Sequence, residues 1–285
     1  MSKSKSKYIL ACDIGGTHIT SAIITSDTWS ILSETIVRKP INSAQNAKSI
    51  FLSWGSAMNE SIALLGLPIN QIGIAMPGPF DYENGISMMK GQNKYDALYQ
   101  LDITAGLRDT LTTPTLEIRY INDAAAFLQG EIFATGRHNE KKILGITLGT
   151  GLGSAIWQQG DKAIDADLWD TPYKERIFEE YLVTRWFTRR FEEIAGHKEN
   201  GLKEIIEKHN TSDSFHLLIA EYRAHLYQFL QYFSSVESCN DYIIGGNIAK
   251  AWDIINQDDY FKDFNISIGI YEEKAALIGA ASQFE

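Results

Sequence analysis

Cysteine is scarce in this sequence, and the two cysteines present, Cys12 and Cys239, lie far apart. They form no Cys-x-Cys or Cys-x-x-Cys pair, which argues against a redox motif or a cysteine zinc cluster. Both lie in apolar surroundings, where a reduced thiol behaves as a small buried hydrophobic residue. Three of the six histidines, His209, His216 and His225, lack the i,i+4 spacing of a zinc-binding helix. We therefore expect no zinc site.

Long apolar runs and excess positive charge are also missing. No stretch reaches the roughly 20 apolar residues of a membrane span, and the run from Tyr8 to Cys12 is too short for the core of a signal peptide. Because the net charge is −10, a nucleic-acid surface would have to form against the overall electric field of the protein. We therefore expect a cytoplasmic protein that binds neither membranes nor nucleic acids.

The sequence does contain strand-like runs that alternate with helical ones. Its 285 residues are 44% hydrophobic and suffice for one large domain or two of ordinary size. The alternation indicates an α/β chain. Predicted strands cover residues 7–13, 18–26, 30–38, 71–76, 115–121 and 241–246, and 142–157 as two strands around a glycine turn. Predicted helices cover 43–65, capped by Asn42 or Ser43, and 176–191, 214–234 and 273–283.

One short pattern occurs twice. The segments 16–23 and 149–156 share G-T-x-x-x-S-A-I, and each forms a strand, a Gly/Thr turn and a strand at the start of one half of the chain. A glycine turn between apolar strands is typical of a tight hairpin. It also suits a phosphate cradle, because glycine lets backbone N–H groups approach an oxyanion. Neither segment is a P-loop or a dinucleotide fingerprint that opens a helix. The repetition predicts two similar lobes facing one cleft.

Two acidic positions have both a structural and a catalytic interpretation. Asp13 ends the first strand, where it could be a turn residue or a ligand of Mg²⁺, which prefers oxygen donors. Asn122 and Asp123 precede an Ala-rich helix and could serve as its N-cap. They could equally bind a substrate through Asn122 and take a proton from its hydroxyl through Asp123.

Six segments in order resemble the ROK family of sugar kinases and sugar-responsive repressors, within the actin-like ATPase superfamily. "DIGGTHITSAII" is similar to the first phosphate loop, "GIAMPGPFD" to the Pro-Gly-Pro segment near the sugar, and "INDAAAFLQGE" to the catalytic segment. "ITLGTGLGSAI" resembles the second phosphate loop, "YIIGGNIAKA" the adenosine loop, and "EKAALIGAA" the closing helix.

The resemblance implies an α/β fold of two similar actin-like, ribonuclease H-like lobes with an interlobe cleft. The N-terminal lobe would cover residues 1–121, with a helix at about 273–285 packing back on it, and the C-terminal lobe 122–272. It also implies an ATP-dependent sugar kinase with Mg²⁺ at Asp13, directly or through water, and a homodimer. Asp123 would be the general base, and Gly78 and Asn122 would contact the sugar. The implied ATP-binding residues are Gly15, Gly16, Thr17, Gly149, Thr150 and Gly151, with Gly245 and Gly246 near adenosine.

The segment 161–183 departs from the family pattern. It lacks the Glu-x-Gly-His motif and the cysteine zinc loop of many members, so Asp167 and Asp170 are candidate replacements for the missing sugar contacts. The acceptor therefore stays open among glucose, N-acetylhexosamines, mannose and fructose. A catalytically silent sugar sensor and an actin-like kinase for a non-sugar acceptor are alternatives. A DNA-binding regulator is disfavoured, because about a dozen residues before Asp13 are too few for a helix-turn-helix domain.

Overall fold

The computed structural model describes residues 7–92, 94–113 and 117–285, and it has the α/β architecture that the sequence predicts. The strands are β1 (Tyr8–Ile14), β2 (His18–Thr25), β3 (Ile31–Pro40), β4 (Gln71–Met76), β5 (Phe80–Asp81), β6 (Ile86–Ser87), β7 (Glu117–Asn122), β8 (Lys142–Leu148), β9 (Leu152–Gln158), β10 (Ile164–Asp165), β11 (Pro172–Tyr173), β12 (Arg176–Ile177), β13 (Asp241–Gly245) and β14 (Asn265–Ile268). The α-helices are α1 (Ala47–Leu65), α2 (Ile103–Arg108), α3 (Asp123–Thr135), α4 (Glu179–Leu182), α5 (Thr184–Ala195), α6 (Leu202–His209), α7 (Asp213–Glu237), α8 (Trp252–Ile255) and α9 (Glu273–Ala281).

The chain divides into two compact units. Unit 1 comprises the residues up to Asn139 together with Lys162–Ile164 and Glu273–Glu285, and unit 2 comprises Glu140–Asp161 and Asp165–Glu272. This division differs from the predicted boundary between residues 121 and 122, because α3 packs against α9 within unit 1. At that contact Gly279 lies so close to the Ala126 carbonyl that a Cβ would overlap it.

Each unit contains a sheet with the same strand pattern. In unit 1 the order is β3-β2-β1-β4-β7, in which β1, β2 and β3 pair antiparallel and β1, β4 and β7 pair parallel. The second sheet has the order β10-β9-β8-β13-β14, in which β8 and β9 pair antiparallel and β8, β13 and β14 pair parallel. The repeated sequence pattern therefore corresponds to a repeated hairpin at the same place in two similar sheets.

The cores of the two units follow the apolar periodicity of the sequence. In unit 1 the helix α1 buries Ile50, Trp54 and Met58 against β1 and its neighbours. In unit 2 the long helix α7 buries Phe215, Tyr222 and Phe229 beside strand residues of β8 and β13, as part of a larger apolar cluster. Among the described residues, no helix combines the length and the apolarity needed to cross a membrane.

Two predicted helices have different bounds in the structure. The first begins at Ala47, not at residue 43, because the Asn46 side chain caps it by accepting the Ser49 N–H. Asn42 instead accepts the Ala44 N–H and forms a local turn ahead of the helix. The predicted helix 176–191 is interrupted, since Val183 is extended between α4 and α5. Residues 115 and 116 of the predicted strand 115–121 lie outside the described residues.

Candidate functional site

The first Gly/Thr turn closes the β1–β2 hairpin of unit 1. Asp13 pairs with Thr20 near the end of β1, and the Gly15 N–H donates to the His18 carbonyl at 2.9 Å. Gly16 and Thr17 form the two-residue tip, which confirms a tight turn at this position.

A buried tyrosine fixes the orientation of this turn. The Tyr95 hydroxyl donates to the Gly15 carbonyl at 2.6 Å, and the Tyr95 residue is fully buried. A trans peptide directs its C=O and its N–H to opposite sides. The N–H of Gly16 therefore points away from Tyr95. Apart from its chain neighbours, no atom of the described residues lies within 4 Å of a Cβ built on Gly16, so the packing around it there does not require a glycine.

Removing the Tyr95 hydroxyl should loosen the turn. We expect Tyr95→Phe to lower the free energy of unfolding by about 1 kcal/mol, the typical contribution of one hydrogen bond. If the turn binds ATP, as the sequence resemblance implies, the KM for ATP should also rise severalfold with little change in kcat. Steady-state kinetics and thermal unfolding would measure both effects, with Tyr99→Phe as the control. An unchanged KM for ATP would contradict this positioning role.

A pocket of unit 1 lies beside this turn and contains charges of both signs. Its lining residues are Asp13, Gly15, Thr17, His18, Thr20, Arg38 and Glu273. The Arg38 guanidinium donates to Glu273 Oε2 at 2.6 Å. Burial, followed by the charges of Asp123 and Glu273, raises the pKa of Asp13 to about 7, although Arg38 opposes this shift. Local negative charge near Asp13 thus exceeds the positive charge, and an oxygen-rich site of this kind fits Mg²⁺.

The raised pKa of Asp13 has a consequence for stability. The pKa of Asp13 in the native state, about 7, lies above its ordinary value of 3.8, so the native state binds the proton more tightly than the unfolded chain does. The free energy of unfolding therefore falls as the pH rises between these two values. Without divalent ions, we expect Asp13→Asn to raise Tm by a few degrees at about pH 8 and to have little effect at about pH 4. Added Mg²⁺ should raise the Tm of the wild type more than that of Asp13→Asn. Thermal unfolding measures both proteins. If the wild type and Asp13→Asn had equal Tm values at about pH 8 without divalent ions, this would contradict a raised pKa at Asp13.

Asn122 and Asp123 lie where β7 runs directly into α3. Asn122 is the N-cap, and its Oδ1 accepts the N–H groups of Ala124 at 2.8 Å and Ala125 at 3.2 Å. Asp123 is the first helical residue and remains exposed to solvent. Although solvent reaches the residue, the protein atoms around its carboxyl group displace part of the hydration that would stabilise the charged form, and this desolvation raises the pKa of Asp123. The hydrogen bond from the Ala124 N–H and the charge of Lys94 lower it. Because Asn122 caps the helix, the Asp123 carboxylate is available for chemistry.

The Pro-Gly-Pro segment meets the start of α3 through Tyr82. The Tyr82 hydroxyl donates to the Met76 carbonyl at 3.0 Å and accepts from Asn122 Nδ2 at 3.2 Å. A Cβ on Gly78 would lie 3.5 Å from the same hydroxyl. The structure therefore brings Gly78 and Asn122 together around Tyr82, next to Asp123.

The second Gly/Thr turn joins β8 and β9 in unit 2. Thr184, the first residue of α5, donates to the Gly149 carbonyl through its N–H at 2.9 Å and its hydroxyl at 3.0 Å. Arg185 Nη1 donates to the Thr150 carbonyl at 3.3 Å. By the geometry of trans peptides, the N–H groups of Thr150 and Gly151 point away from these partners. A Cβ on Gly149 would meet no atom within 4 Å in the described part of the chain, its two neighbours aside.

Gly245 is the last residue of β13, and Gly246 follows it beside the second turn. Gly246 has a φ of +91°, and a Cβ there would overlap the backbone of Leu148. The Leu148 carbonyl also accepts the Ile248 N–H at 3.1 Å. Gly246 is thus required by the fold, since it lets this loop approach the strand end that precedes Gly149.

The two acidic candidates in the segment 161–183 lie in unit 2. Asp167 Oδ1 accepts the indole N–H of Trp169 at 2.9 Å, and both side chains are exposed. Asp170 is exposed in the following turn. Asp167 therefore orients an indole that is 40% exposed.

Several residues of these sites were missed by the sequence reasoning. Arg38 and Glu273 had no motif of their own, although Glu273 opens the segment assigned to the closing helix. The sequence contains 13 tyrosines, and no sequence signal distinguishes Tyr82 and Tyr95 from the others. The expectation of no zinc site considered His209 only with later histidines. The structure instead places His209 beside His197 and Glu199, which lie 12 and 10 positions earlier in the sequence.

Comparison with known proteins identifies relatives of this chain. Residues 9–164 match the sequence model of the ROK family. A ROK family glucokinase from Streptomyces griseus, solved with glucose and AMPPNP, has a TM-score of 0.76 at 18% identity, covering 97% of this chain and 98% of that one. An inorganic polyphosphate/ATP-glucomannokinase from Arthrobacter has a TM-score of 0.71 at 22% identity, covering 98% of each chain.

The structural relatives also include a regulator. A ROK family transcriptional regulator, a homologue of the E. coli MLC protein, has a TM-score of 0.69 at 15% identity, covering 97% of this chain and 77% of that one. No match was found among curated protein sequences. At these identities the structures establish the fold, which is that of the actin-like sugar kinases.

Proposed function

The chain belongs to the ROK family, and we propose that it is an ATP-dependent kinase that phosphorylates a hydroxyl of a hexose or an N-acetylhexosamine. Sugar kinases among the structural relatives support kinase activity. The proposal includes Mg²⁺ as the metal ion, and a cytoplasmic homodimer as implied by the sequence resemblance.

The observation that carries the proposal is the position of Asp123. Its carboxylate is exposed at the start of α3, its pKa is raised, and its charge acts on Asp13 beside the first Gly/Thr turn. A raised pKa makes a carboxylate a better proton acceptor for a hydroxyl group. Unit 1 therefore contains both a candidate base, Asp123, and, at Asp13, a candidate site for the cation that phosphoryl transfer requires.

We propose that Asp123 takes the proton of the acceptor hydroxyl. The oxygen then forms a bond to the γ-phosphorus of ATP, while the bond from that phosphorus to the ADP oxygen breaks. The products are ADP, a sugar phosphate and a proton, which Asp123 releases to solvent. The reaction balances without a further reactant.

The two Gly/Thr turns are proposed to bind the phosphates of ATP. Gly15, Gly16 and Thr17 of unit 1 and Gly149, Thr150 and Gly151 of unit 2 would contribute N–H groups and hydroxyls. The open space at Gly16 and Gly149 supports this assignment, because neither glycine is needed by the protein's own packing. Asp13 would hold Mg²⁺, directly or through water, and the ion would offset negative charge on the phosphates. We further propose that Gly245 and Gly246 lie near the adenosine.

The acceptor side of the proposal rests on the cluster around Tyr82. Gly78 and Asn122 would contact the sugar beside Asp123. Asn122 already donates one Nδ2 hydrogen to Tyr82, which fixes the orientation of its amide. In unit 2, Asp167 and Asp170 are proposed as further sugar contacts in place of the missing family motif.

A coupled ADP-release assay over hexoses, N-acetylhexosamines and non-sugar alcohols tests this function. We expect turnover that depends on one sugar class, on ATP and on Mg²⁺. The similarity to a ROK regulator favours a sugar sensor as the second candidate. A sugar that raises Tm without any turnover would support the sensor, and turnover with a non-sugar alcohol alone would identify a different acceptor.

A further inference from the structure

A histidine pair lies in unit 2, where the connection after α5 meets the end of α6, outside the elements proposed above for catalysis. His197 and Glu199 follow the end of α5, and His209 is the last residue of α6. His197 Nε2 lies 3.5 Å from His209 Nε2, and Glu199 Oε1 lies 2.8 Å from the same His209 nitrogen. All the potential ligand atoms fall within 4.8 Å of one another. Three groups of metal-binding type thus converge on one point.

The hydrogen bonds of His197 prepare this ring for metal binding. Its Nδ1 lies 3.1 Å from the Ala195 carbonyl, and a carbonyl can only accept, so Nδ1 carries the hydrogen. In the neutral ring the lone pair is then on Nε2, which faces His209. Metal-binding histidines are commonly oriented by such a bond from the other ring nitrogen to a backbone carbonyl.

The carboxylate is oriented in a similar way. The Glu199 side chain is only 9% exposed, and its Oε2 accepts from Lys208 Nζ at 2.7 Å. This bond leaves Oε1 directed at the histidines. The ring of Phe191, which is fully buried, packs against both imidazoles with centroid distances of 5.4 and 4.9 Å. The hydrogen bonds that orient His197 and Glu199 are therefore already formed, and Phe191 provides an apolar surface against the two imidazole rings.

The spacing of the two nitrogens fits a tetrahedral ion. Zn–N bonds of about 2.0–2.1 Å place two tetrahedral ligands about 3.3–3.4 Å apart, close to the observed 3.5 Å. Glu199 Oε1 would have to move outward by about half an ångström from His209 to reach the same spacing. Two imidazoles and one carboxylate select Zn²⁺ and its transition-metal neighbours over Mg²⁺, which prefers oxygen ligands alone.

We propose that His197, Glu199 and His209 bind a divalent cation of the Zn²⁺ class, which cross-links the loop after α5 to the end of α6. A water molecule would complete the tetrahedron. The site is independent of the proposed kinase function. It also revises the expectation of no zinc site, which rested on the lack of cysteine pairs and on the spacing of histidines along one helix. That expectation did not consider ligands that come from the loop after α5 and from the end of α6.

Metal binding to untagged, chelator-stripped protein tests the proposal. Calorimetry should detect one Zn²⁺ per chain, and Co²⁺ should give the visible absorption of a tetrahedral complex. At about 100-fold excess of Zn²⁺ over Kd, Tm should rise by about 5 °C or more. Mg²⁺ should not displace Co²⁺ from its tetrahedral complex, and in Asp13→Asn, which lacks the site proposed for Mg²⁺, Mg²⁺ should not raise Tm. These two results separate this site from the one proposed at Asp13.

Variants of the three ligands locate the site. His197→Ala and His209→Ala should each weaken Zn²⁺ binding by at least about 100-fold, and Glu199→Gln should abolish the tetrahedral Co²⁺ spectrum. His216→Ala, at an exposed histidine of α7, is the matched control and should bind like the wild type. His197 is itself exposed, so its variant should fold even if another does not. Failure of the wild type to bind Zn²⁺, or unchanged binding by His197→Ala, would overturn the proposal.

Discussion

Asp123→Asn is expected to lower kcat by about 10²- to 10⁴-fold, the range that general acid–base catalysis supplies, while sugar binding and Tm change little. The amide cannot accept the proton of the acceptor hydroxyl at neutral pH. The fold should tolerate the change because Asn122, not Asp123, caps α3. The amide oxygen can also still accept the Ala124 N–H, as Asp123 Oδ1 does at 2.9 Å.

The control for this variant is Asp102→Asn. Asp102 also begins a helix of unit 1, where it accepts the Ala105 N–H at 2.9 Å, so the substitution is chemically matched but lies at another helix. It should retain nearly full kcat. In the wild type the raised pKa of Asp123 should place the acid limb of kcat/KM above the range of an ordinary aspartate. Full turnover by Asp123→Asn would remove Asp123 from the proposed role.

The second large effect is expected at the tips of the two turns. Gly16→Ala and Gly149→Ala should each reduce kcat/KM for ATP by about 100-fold, because a methyl group would displace phosphate from the backbone N–H groups. Neither glycine has a left-handed φ, and a Cβ on either would meet no atom of residues 7–92, 94–113 or 117–285 within 4 Å, its chain neighbours aside. Tm should therefore stay the same or rise slightly, since alanine restricts the unfolded chain.

Gly201→Ala is the matched control for these variants. Gly201 has an extended φ of 174° and the same open surroundings, and it precedes α6, outside the proposed ATP-binding residues. Its kcat/KM for ATP should equal that of the wild type. If Gly16→Ala and Gly149→Ala kept both their Tm and their kcat/KM, the turns would not bind phosphate through these peptides. A combined loss of Tm and activity would instead point to a structural need for glycine.

Much of the fold is encoded in local patterns that a single sequence shows. The hairpins around Gly16 and Gly149 follow from alternating apolar residues broken by glycine, and the strand-to-helix junction at Asn122 follows from its capping side chain. The equivalent place of the two hairpins in two similar sheets explains the repeated motif.

Other features depend on contacts that sequence spacing does not show. The start of α1 was misplaced because Asn42 and Asn46 are both good caps; in the structure Asn42 accepts the Ala44 N–H in a local turn, and Asn46 accepts the Ser49 N–H at the start of the helix. The roles of Tyr95 and Arg38 depend on hydrogen bonds between residues far apart in the sequence, from Tyr95 to Gly15 and from Arg38 to Glu273. The group formed with His209 was missed because its ligands come from two elements joined by an irregular loop.

The central claim is phosphoryl transfer to a sugar with Asp123 as the base. Mass spectrometry of reaction mixtures containing ATP, Mg²⁺ and each sugar of the panel tests it most directly, with wild type and Asp123→Asn run side by side. We expect one class of sugar phosphate to accumulate with the wild type and almost none with the variant. Absence of any sugar phosphate from the wild type, or equal amounts from both proteins, would contradict the account.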